Sequence, residues 1–160
     1  MKINGKSWET IWIDESYCVN VINQTLLPHQ FKIEKIENDN DAYFAIKNMI
    51  VRGAPLIGVT GAYGLALGLK SNQSDENLTR SFKLLESARP TAVNLSWALK
   101  RVYNKIIDLP QNQRFLVAIE EAKIIAKEDI WMCSKIGDMG LEIIKEIYLK
   151  RSIKDKNKPI

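Results

Sequence analysis

The sequence predicts an α+β fold, in which a small N-terminal antiparallel β element precedes an α-helical bundle. Between Thr10 and Ile36 apolar residues alternate with polar ones, as in half-buried strands. After Asn38 the apolar period becomes helical. The chain has 160 residues, of which 46% are hydrophobic and 26% are charged. That length and balance fit one domain, or one domain with a small subdomain, and exclude an intrinsically disordered chain or a large multi-domain enzyme.

The β element is expected to occupy residues 1–37. The pairs Ile11 and Ile13, then Val19 and Val21, alternate around a turn signal, which predicts two or three antiparallel strands. Residues 23–30 contain a proline, which cannot donate to a strand ladder, so this stretch is predicted to be an irregular connection.

The helical bundle is expected over residues 38–149. Asn38 or Asp39 is the predicted cap of the first helix. A second helix should begin at Ala54-Pro55, because proline is well tolerated in the first helical turn. Four glycines recur in this helix at three- and four-residue spacing, which predicts a central helix that other elements approach closely. They are Gly58, Gly61, Gly64 and Gly68.

Two further helices and a long C-terminal helical pattern complete the bundle. The third helix should end near Ala88, and Thr91 is the predicted N-cap of the fourth. The buried stripe expected for the fourth helix consists of Val93, Trp97, Ala98, Val102 and Ile106. The pattern from Gln111 onward contains two glycines, Gly137 and Gly140, which predict a break or bend. Residues 150–160 are charged and aperiodic, as in a linker or a frayed tail.

The net charge of +4 comes from this tail, which holds five basic residues and one acid. The charges of the rest of the chain balance, so no nucleic-acid partner is expected.

Two distant cysteines and one histidine fit neither a disulfide framework nor a metal site. The N-terminus lacks the apolar segment of a signal peptide, and the run Ala54–Leu69 is too short to span a bilayer. We therefore expect a cytoplasmic protein with no membrane partner.

The corner at residues 51–55 is the first candidate for chemistry. Amide groups at the start of the second helix lack intrahelical partners, the helix dipole there is positive, and Arg52 adds a bidentate donor. Such a corner suits an anion such as phosphate. The alternative is structural: Arg52 caps the carbonyls of the preceding helix while Gly53 ends that helix in a left-handed conformation.

A second arginine corner covers residues 87–94. Arg89 precedes the fourth helix, so two arginines at two helix starts could converge on one phosphorylated ligand. Alternatively, Arg89 is solvated or capping, while Thr91 and Asn94 bond the local backbone. Neither corner is a Walker motif or a dinucleotide fingerprint.

The other reactive side chains predict no catalytic centre. His29 has no evident carboxylate partner, which favours a structural role over acid–base chemistry. Cys133 lies in a helical pattern without a neighbouring base, so a buried, inert thiol is expected.

Three motifs in order resemble those of the methylthioribose-1-phosphate isomerase family. The first is Gln24-Thr25-Leu26-Leu27-Pro28-His29; the second begins Val51-Arg52-Gly53-Ala54-Pro55; the third begins Arg89-Pro90-Thr91-Ala92-Val93-Asn94. The resemblance covers Trp8 to about Tyr148. The same superfamily includes regulatory subunits of initiation factor 2B and a ribose-1,5-bisphosphate isomerase.

This resemblance implies that Arg52, Gly53, Ala54 and Arg89 bind substrate. The implied reaction is the metal-free and cofactor-free isomerisation of 5-methylthioribose 1-phosphate to 5-methylthioribulose 1-phosphate in methionine salvage. Members of the family form homodimers. They continue into a Rossmann-like C-terminal domain, which carries the catalytic cysteine and aspartate.

We expect that domain to lie beyond residue 160, so that the chain contains no catalytic residue of its own and is inactive alone. Two alternatives remain open. One is a non-catalytic binding or assembly module related to the initiation factor 2B regulatory subunits. The other is an inactive, truncated isomerase.

Overall fold

The computed structural model describes residues 2–3 and 5–150. Within this range two short strands come first, β1 (Lys2–Ile3) and β2 (Lys6–Ser7). Three further strands follow, β3 (Ile11–Ile13), β4 (Val19–Ile22) and β5 (Ile33–Ile36). The helices are α1 (Asp39–Lys47), α2 (Ala54–Gly68), α3 (Asp75–Ala88), α4 (Val93–Ile106) and α5 (Gln111–Lys150). The predicted α+β class is confirmed, and the expected tail lies, apart from Lys150, outside the described residues.

The chain divides into two compact units, residues 1–126 and residues 127–160. The boundary falls inside α5. The strands and α1 to α4 therefore share the first unit, and the boundary expected after residue 37 stays a prediction. In the described ranges, none of the helices combines the length and hydropathy required to span a bilayer.

Strands β3, β4 and β5 form an antiparallel sheet in that order, as the alternating pattern predicted. Ile11 pairs with Val21, and Val19 pairs with Ile36 in the next strand. All four residues of the central strand β4 are buried. The β1–β2 hairpin was not predicted, because two-residue strands are too short to show alternation.

The turn between β3 and β4 is organised by the carboxylate of Asp14. Its Oδ1 accepts hydrogen bonds from the Ser16 hydroxyl (2.6 Å), the Ser16 amide (3.0 Å) and the Cys18 amide (2.9 Å). Bonds of this kind favour the ionised form. The bond from the Ser16 side chain, followed by the bond from the Cys18 backbone, lowers the pKa of Asp14 from 3.8 to about 2.

Helix α2 is the centre of the first unit, and all its residues from Leu56 to Leu67 are buried. Its glycines allow the close approach that their spacing predicted. A Cβ atom at Gly58 would lie 2.9 Å from the Asn94 carbonyl oxygen of α4, and one at Gly61 would overlap Leu95. At Gly58 the backbones of α2 and α4 therefore lie against each other, and at Gly61 the Leu95 side chain of α4 packs directly on the α2 backbone.

The far end of α2 lies against an ion pair between α1 and α3, in which the carboxylate is buried and the arginine is half exposed. The Asp39 carboxylate, almost fully buried, accepts hydrogen bonds from Arg80 Nη2 (2.6 Å) and Ser81 Oγ (2.5 Å). A side chain at Gly68 would meet both Ser81 and Asp39. The buried carboxylate of Asp39 is thus both ion-paired and hydrogen-bonded, which offsets the free-energy cost of removing its charge from water.

The predicted N-cap of α4 was wrong. Ala92, not Thr91, occupies the cap position, and no side chain caps the helix. The reason is a turn in which the Ala92 amide donates to the Arg89 carbonyl (3.0 Å), so that the helix begins one residue later than the Thr91 hydroxyl would require.

The predicted buried stripe of α4 was wrong at two positions. Val93 is 78% exposed and Trp97 is 48% exposed. The buried residues of α4 are Leu95, Ala98, Leu99, Val102 and Ile106. These recur at three- and four-residue steps, and Val93 and Trp97 lie on the opposite face of the helix.

The predicted break in the C-terminal helix was also wrong, since α5 runs without interruption from Gln111 to Lys150. Nothing lies within 4 Å of a Cβ atom built at Gly137 or Gly140. Glycine lowers helix propensity by about 1 kcal/mol but does not forbid the helical conformation.

Replacing Gly61 by alanine should destabilise the chain by about 1–3 kcal/mol, because the new methyl group overlaps the buried Leu95 side chain. Urea unfolding of the two proteins measures the difference. The matched control is Gly137→Ala, which meets open space and should leave stability unchanged or raised. Equal effects of the two substitutions would contradict close packing at Gly61.

The Asp14 turn should make stability depend on pH. The folded-state pKa is lowered, so the ionised carboxylate contributes stability above about pH 4, and this contribution is lost as the pH falls towards about 2. Urea midpoints of the chain and of Asp14→Asn should therefore differ most near neutral pH and converge in acid. A difference that stays constant down to about pH 2 would show that the Asp14 carboxylate does not stabilise the turn.

Candidate anion-binding site

A cavity of about 380 Å³ lies where α2 and α4 begin. Its lining contains three of the four residues predicted to bind substrate, namely Gly53, Ala54 and Arg89. Arg52 is not among the lining residues. The complete lining is Gly53, Ala54, Ile57, Arg89, Thr91, Ala92, Val93 and Asn94. The two corners identified in the sequence therefore meet, although only one of their arginines faces the space between them.

The start of α2 offers backbone donors to this cavity. Gly53 is the N-cap and has φ 93° and ψ 133°, a backbone conformation that side-chain-bearing residues rarely adopt. No side chain caps the helix. The first amides of a helix have no intrahelical acceptor, and Pro55 has no amide hydrogen, so Ala54 and Leu56 are left as donors.

The start of α4 is similar. Its N-cap, Ala92, has no side-chain acceptor, and its carbonyl accepts from Leu95 (3.0 Å) and Ser96 (3.2 Å). The amides of Val93 and Asn94 precede these bonded groups, so they have no acceptor within the helix. The second helix start thus adds two more donors beside the same cavity.

Helices α1 and α3 begin away from this cavity, and each has an N-terminal amide that is bonded to a capping side chain. In α1, Asn38 accepts from the Asp41 amide (3.0 Å), and in α3, Ser74 accepts from the Asn77 amide (3.2 Å). Both helices have acidic residues in the first turn, whereas α2 and α4 have none. The positive ends of α2 and α4 are therefore not neutralised by their own side chains.

The two predicted arginines differ in their surroundings. Arg89 is half-buried, and its guanidinium has no hydrogen bond or ion pair with other residues in the described part of the chain. Arg52 is exposed, and its Nε donates to the Met49 carbonyl at 3.4 Å. In the structural alternative for this corner, Arg52 caps carbonyls of the preceding helix. The observed bond is of this kind, although Met49 follows α1 rather than belonging to it.

The lining of the cavity suits binding rather than proton transfer. It contains no carboxylate, histidine or thiol among the described residues, and an arginine stays protonated at physiological pH. Four groups with a shifted pKa, namely Asp14, Cys18, Glu34 and Tyr63, lie outside the lining. What the cavity presents to a ligand is a guanidinium, two positive helix ends and unpaired amides.

The expected burial of Cys133 was wrong. The thiol is exposed, as are its neighbours Trp131 and Met132, because this stretch of α5 is not covered by other residues of its unit in the described part. His29 is exposed as well. Among residues 2–3 and 5–150, no group of three His, Cys, Asp or Glu side chains is placed to hold a metal ion.

Comparison with known sequences gives one family match. Residues 50–149, more than half of the chain, match the Initiation factor 2 subunit family. The chain is also 49% identical to the methylthioribose-1-phosphate isomerase of Methylocella silvestris over 148 residues. That alignment covers 92% of this chain and 40% of the relative. The chain therefore spans less than half the length of this relative.

Two solved structures resemble the fold. The 5-methylthioribose 1-phosphate isomerase of Pyrococcus horikoshii has a TM-score of 0.67 and 36% identity, over 74% of this chain and 36% of that chain. Subunit delta of translation initiation factor eIF-2B from A. fulgidus has a TM-score of 0.68 and 32% identity, over 78% of this chain and 38% of that chain. The fold is therefore common to an enzyme and to a translation factor subunit.

Proposed function

Since the chain belongs to the Initiation factor 2 subunit family and is similar over most of its length to methylthioribose-1-phosphate isomerases, we propose that it is the substrate-binding part of such an isomerase. Its substrate is 5-methylthioribose 1-phosphate, and the reaction belongs to methionine salvage. In this proposal Arg52, Gly53, Ala54 and Arg89 bind the substrate, chiefly through its phosphate.

One observation carries the proposal. Two helices begin at the same cavity without side-chain caps and without first-turn acids, and Arg89 lines the space between them. Unpaired amides at a helix start and the positive end of its dipole favour an anion. A phosphate monoester has enough acceptor oxygens to receive bonds from both helix starts and from the guanidinium.

Holding the phosphate is a large part of what this reaction requires. The aldose carries its phosphate on C1, so the ring must open while the ester stays intact. The bond from C1 to the ring oxygen breaks, and that oxygen gains a proton. C2 then loses its proton to give an enol, and addition of a proton at C1 with loss of the 2-hydroxyl proton leaves a ketone at C2. Fixing the phosphate orients C1 and C2 relative to the groups that move the proton, and it reduces the entropy lost on reaching the transition state.

A second function is supported by the likeness to the initiation factor eIF-2B subunit. A non-catalytic binding or assembly module needs no acid–base group, and the described lining of the cavity contains none. The two functions differ in their ligand, because only the isomerase function requires a phosphorylated pentose to occupy the cavity.

The proposal includes two features of the protein in the cell. We place the reaction in the cytoplasm, where a reducing environment keeps thiols such as the free Cys18 and Cys133 unoxidised. We also propose that the working enzyme is a homodimer, in keeping with the resemblance to the isomerases.

Removing Arg89 tests the proposed function. Arg89→Ala should weaken the binding of 5-methylthioribose 1-phosphate by about tenfold to a hundredfold, because a hydrogen bond to a charged group contributes about 1.5–3 kcal/mol. Arg52→Ala should have a smaller effect, since Arg52 does not line the cavity. Isothermal titration calorimetry measures both dissociation constants.

The matched control is Lys83→Ala, which removes the same charge from an exposed position of α3 outside the cavity. It should leave binding unchanged. If Lys83→Ala weakens binding as much as Arg89→Ala does, general electrostatic attraction explains the affinity. If the chain binds no phosphorylated pentose, the isomerase function is wrong and the binding-module alternative is favoured.

The chain by itself should bind substrate without turning it over, because the residues that line the cavity cannot accept or donate a proton near neutral pH. Product formation can be followed by ³¹P NMR of the substrate mixed with the purified chain. Isomerisation that is abolished by Arg89→Ala would show that acid–base groups in this chain reach the substrate.

A further inference from the structure

A second cavity, of about 460 Å³, adjoins the anion-binding cavity along the start of α4. The two cavities share three lining residues, Thr91, Ala92 and Val93. A ligand held at the helix starts can therefore extend into the second cavity without leaving the surface of the protein.

The second cavity has an apolar wall made by Val93 and Trp97. These residues are four apart in α4, so they lie on the same side of the helix. Both are largely exposed, at 78% and 48%, and both lie outside the buried stripe of the helix. A valine and a tryptophan left open to solvent beside an anion site form an apolar surface that the packing of the core does not explain.

The indole of Trp97 is held in place from the protein side. The guanidinium carbon of Arg101 lies 5.5 Å from the Trp97 ring centroid, within the range of a cation–π contact. Arg101 Nε in turn donates to the buried carboxylate of Glu121 at 2.7 Å. This chain of contacts restricts the ring before any ligand arrives, which lowers the entropy cost of binding against it.

We propose that the surface formed by Val93 and Trp97 is the subsite for an apolar substituent at the end of the sugar opposite its phosphate. The inference rests on the proposed function, in which the ligand is a pentose with a phosphate on C1 and a methylthio group on C5. With the phosphate at the two helix starts, the other end of the pentose reaches the adjoining cavity. A thioether against an indole makes a favourable sulfur–aromatic contact in addition to the burial of its methyl group.

The subsite predicts discrimination between two ligands that differ only in the methylthio group. Trp97→Ala should weaken binding of 5-methylthioribose 1-phosphate by about tenfold, the scale of one small apolar group in a pocket. It should leave binding of ribose 1-phosphate unchanged. Val93→Ser, a smaller change at an exposed position, should shift the same ratio in the same direction. Calorimetry of the unmodified chain and of the two variants with each ligand gives the six dissociation constants required.

Two controls separate this inference from the proposed function. Phe44→Ala removes an exposed aromatic side chain outside both cavities and should affect neither ligand. Arg89→Ala should weaken both ligands equally, since both carry the phosphate. If Arg89→Ala weakens both while Trp97→Ala and Val93→Ser leave the ratio of the two affinities unchanged, the phosphate site stands and the apolar subsite is wrong. If neither ligand binds the unmodified chain, the proposed function and the subsite are both wrong.

Discussion

The close contact between α2 and α4 is the constraint on which the candidate site depends. At Gly58 the backbone of α2 lies against the Asn94 carbonyl of α4, and at Gly61 it lies against Leu95. A side chain at either glycine would push the helices apart. Because Gly58 lies one turn from the start of α2 and Asn94 lies in the first turn of α4, this contact also holds the two helix starts beside one cavity.

The uncapped helix starts carry a cost that ligand binding offsets. An alanine at the N-cap, as in α4, costs a helix about 1 kcal/mol relative to a capping side chain, and a glycine, as in α2, costs about a few tenths of a kcal/mol. Helices α1 and α3 of the same unit are capped by Asn38 and Ser74, so the chain does not lack capping residues in general. An anion that accepts hydrogen bonds from the free amides would replace the bonds that N-cap side chains make in other helices. Binding of an anion in the cavity should therefore raise the stability of the unit.

The sequence predicted the order and class of the elements but not the details at the cavity. The strand alternation and the glycine spacing of α2 are strong periodic signals, and both predictions were confirmed. Residue type suggested Thr91 as a cap, yet a turn closed by Arg89 and Ala92 shifted the helix start. The wrong burial predicted for Trp97 followed from its apolar character, because the helical period of Leu95, Leu99 and Ile106 places Trp97 on the opposite face, where it is exposed. A local sequence pattern contains no information about contacts between segments that are distant in the chain, and these contacts form the cavity.

The joint role of the two helix starts is tested most directly by NMR of the ¹⁵N-labelled chain titrated with inorganic phosphate. If one anion binds at both helix starts, the amide signals of Ala54, in α2, and of Asn94, in α4, should shift together and give one common dissociation constant. Signals that respond at only one helix, or that give two different dissociation constants, would contradict a single anion site shared by α2 and α4.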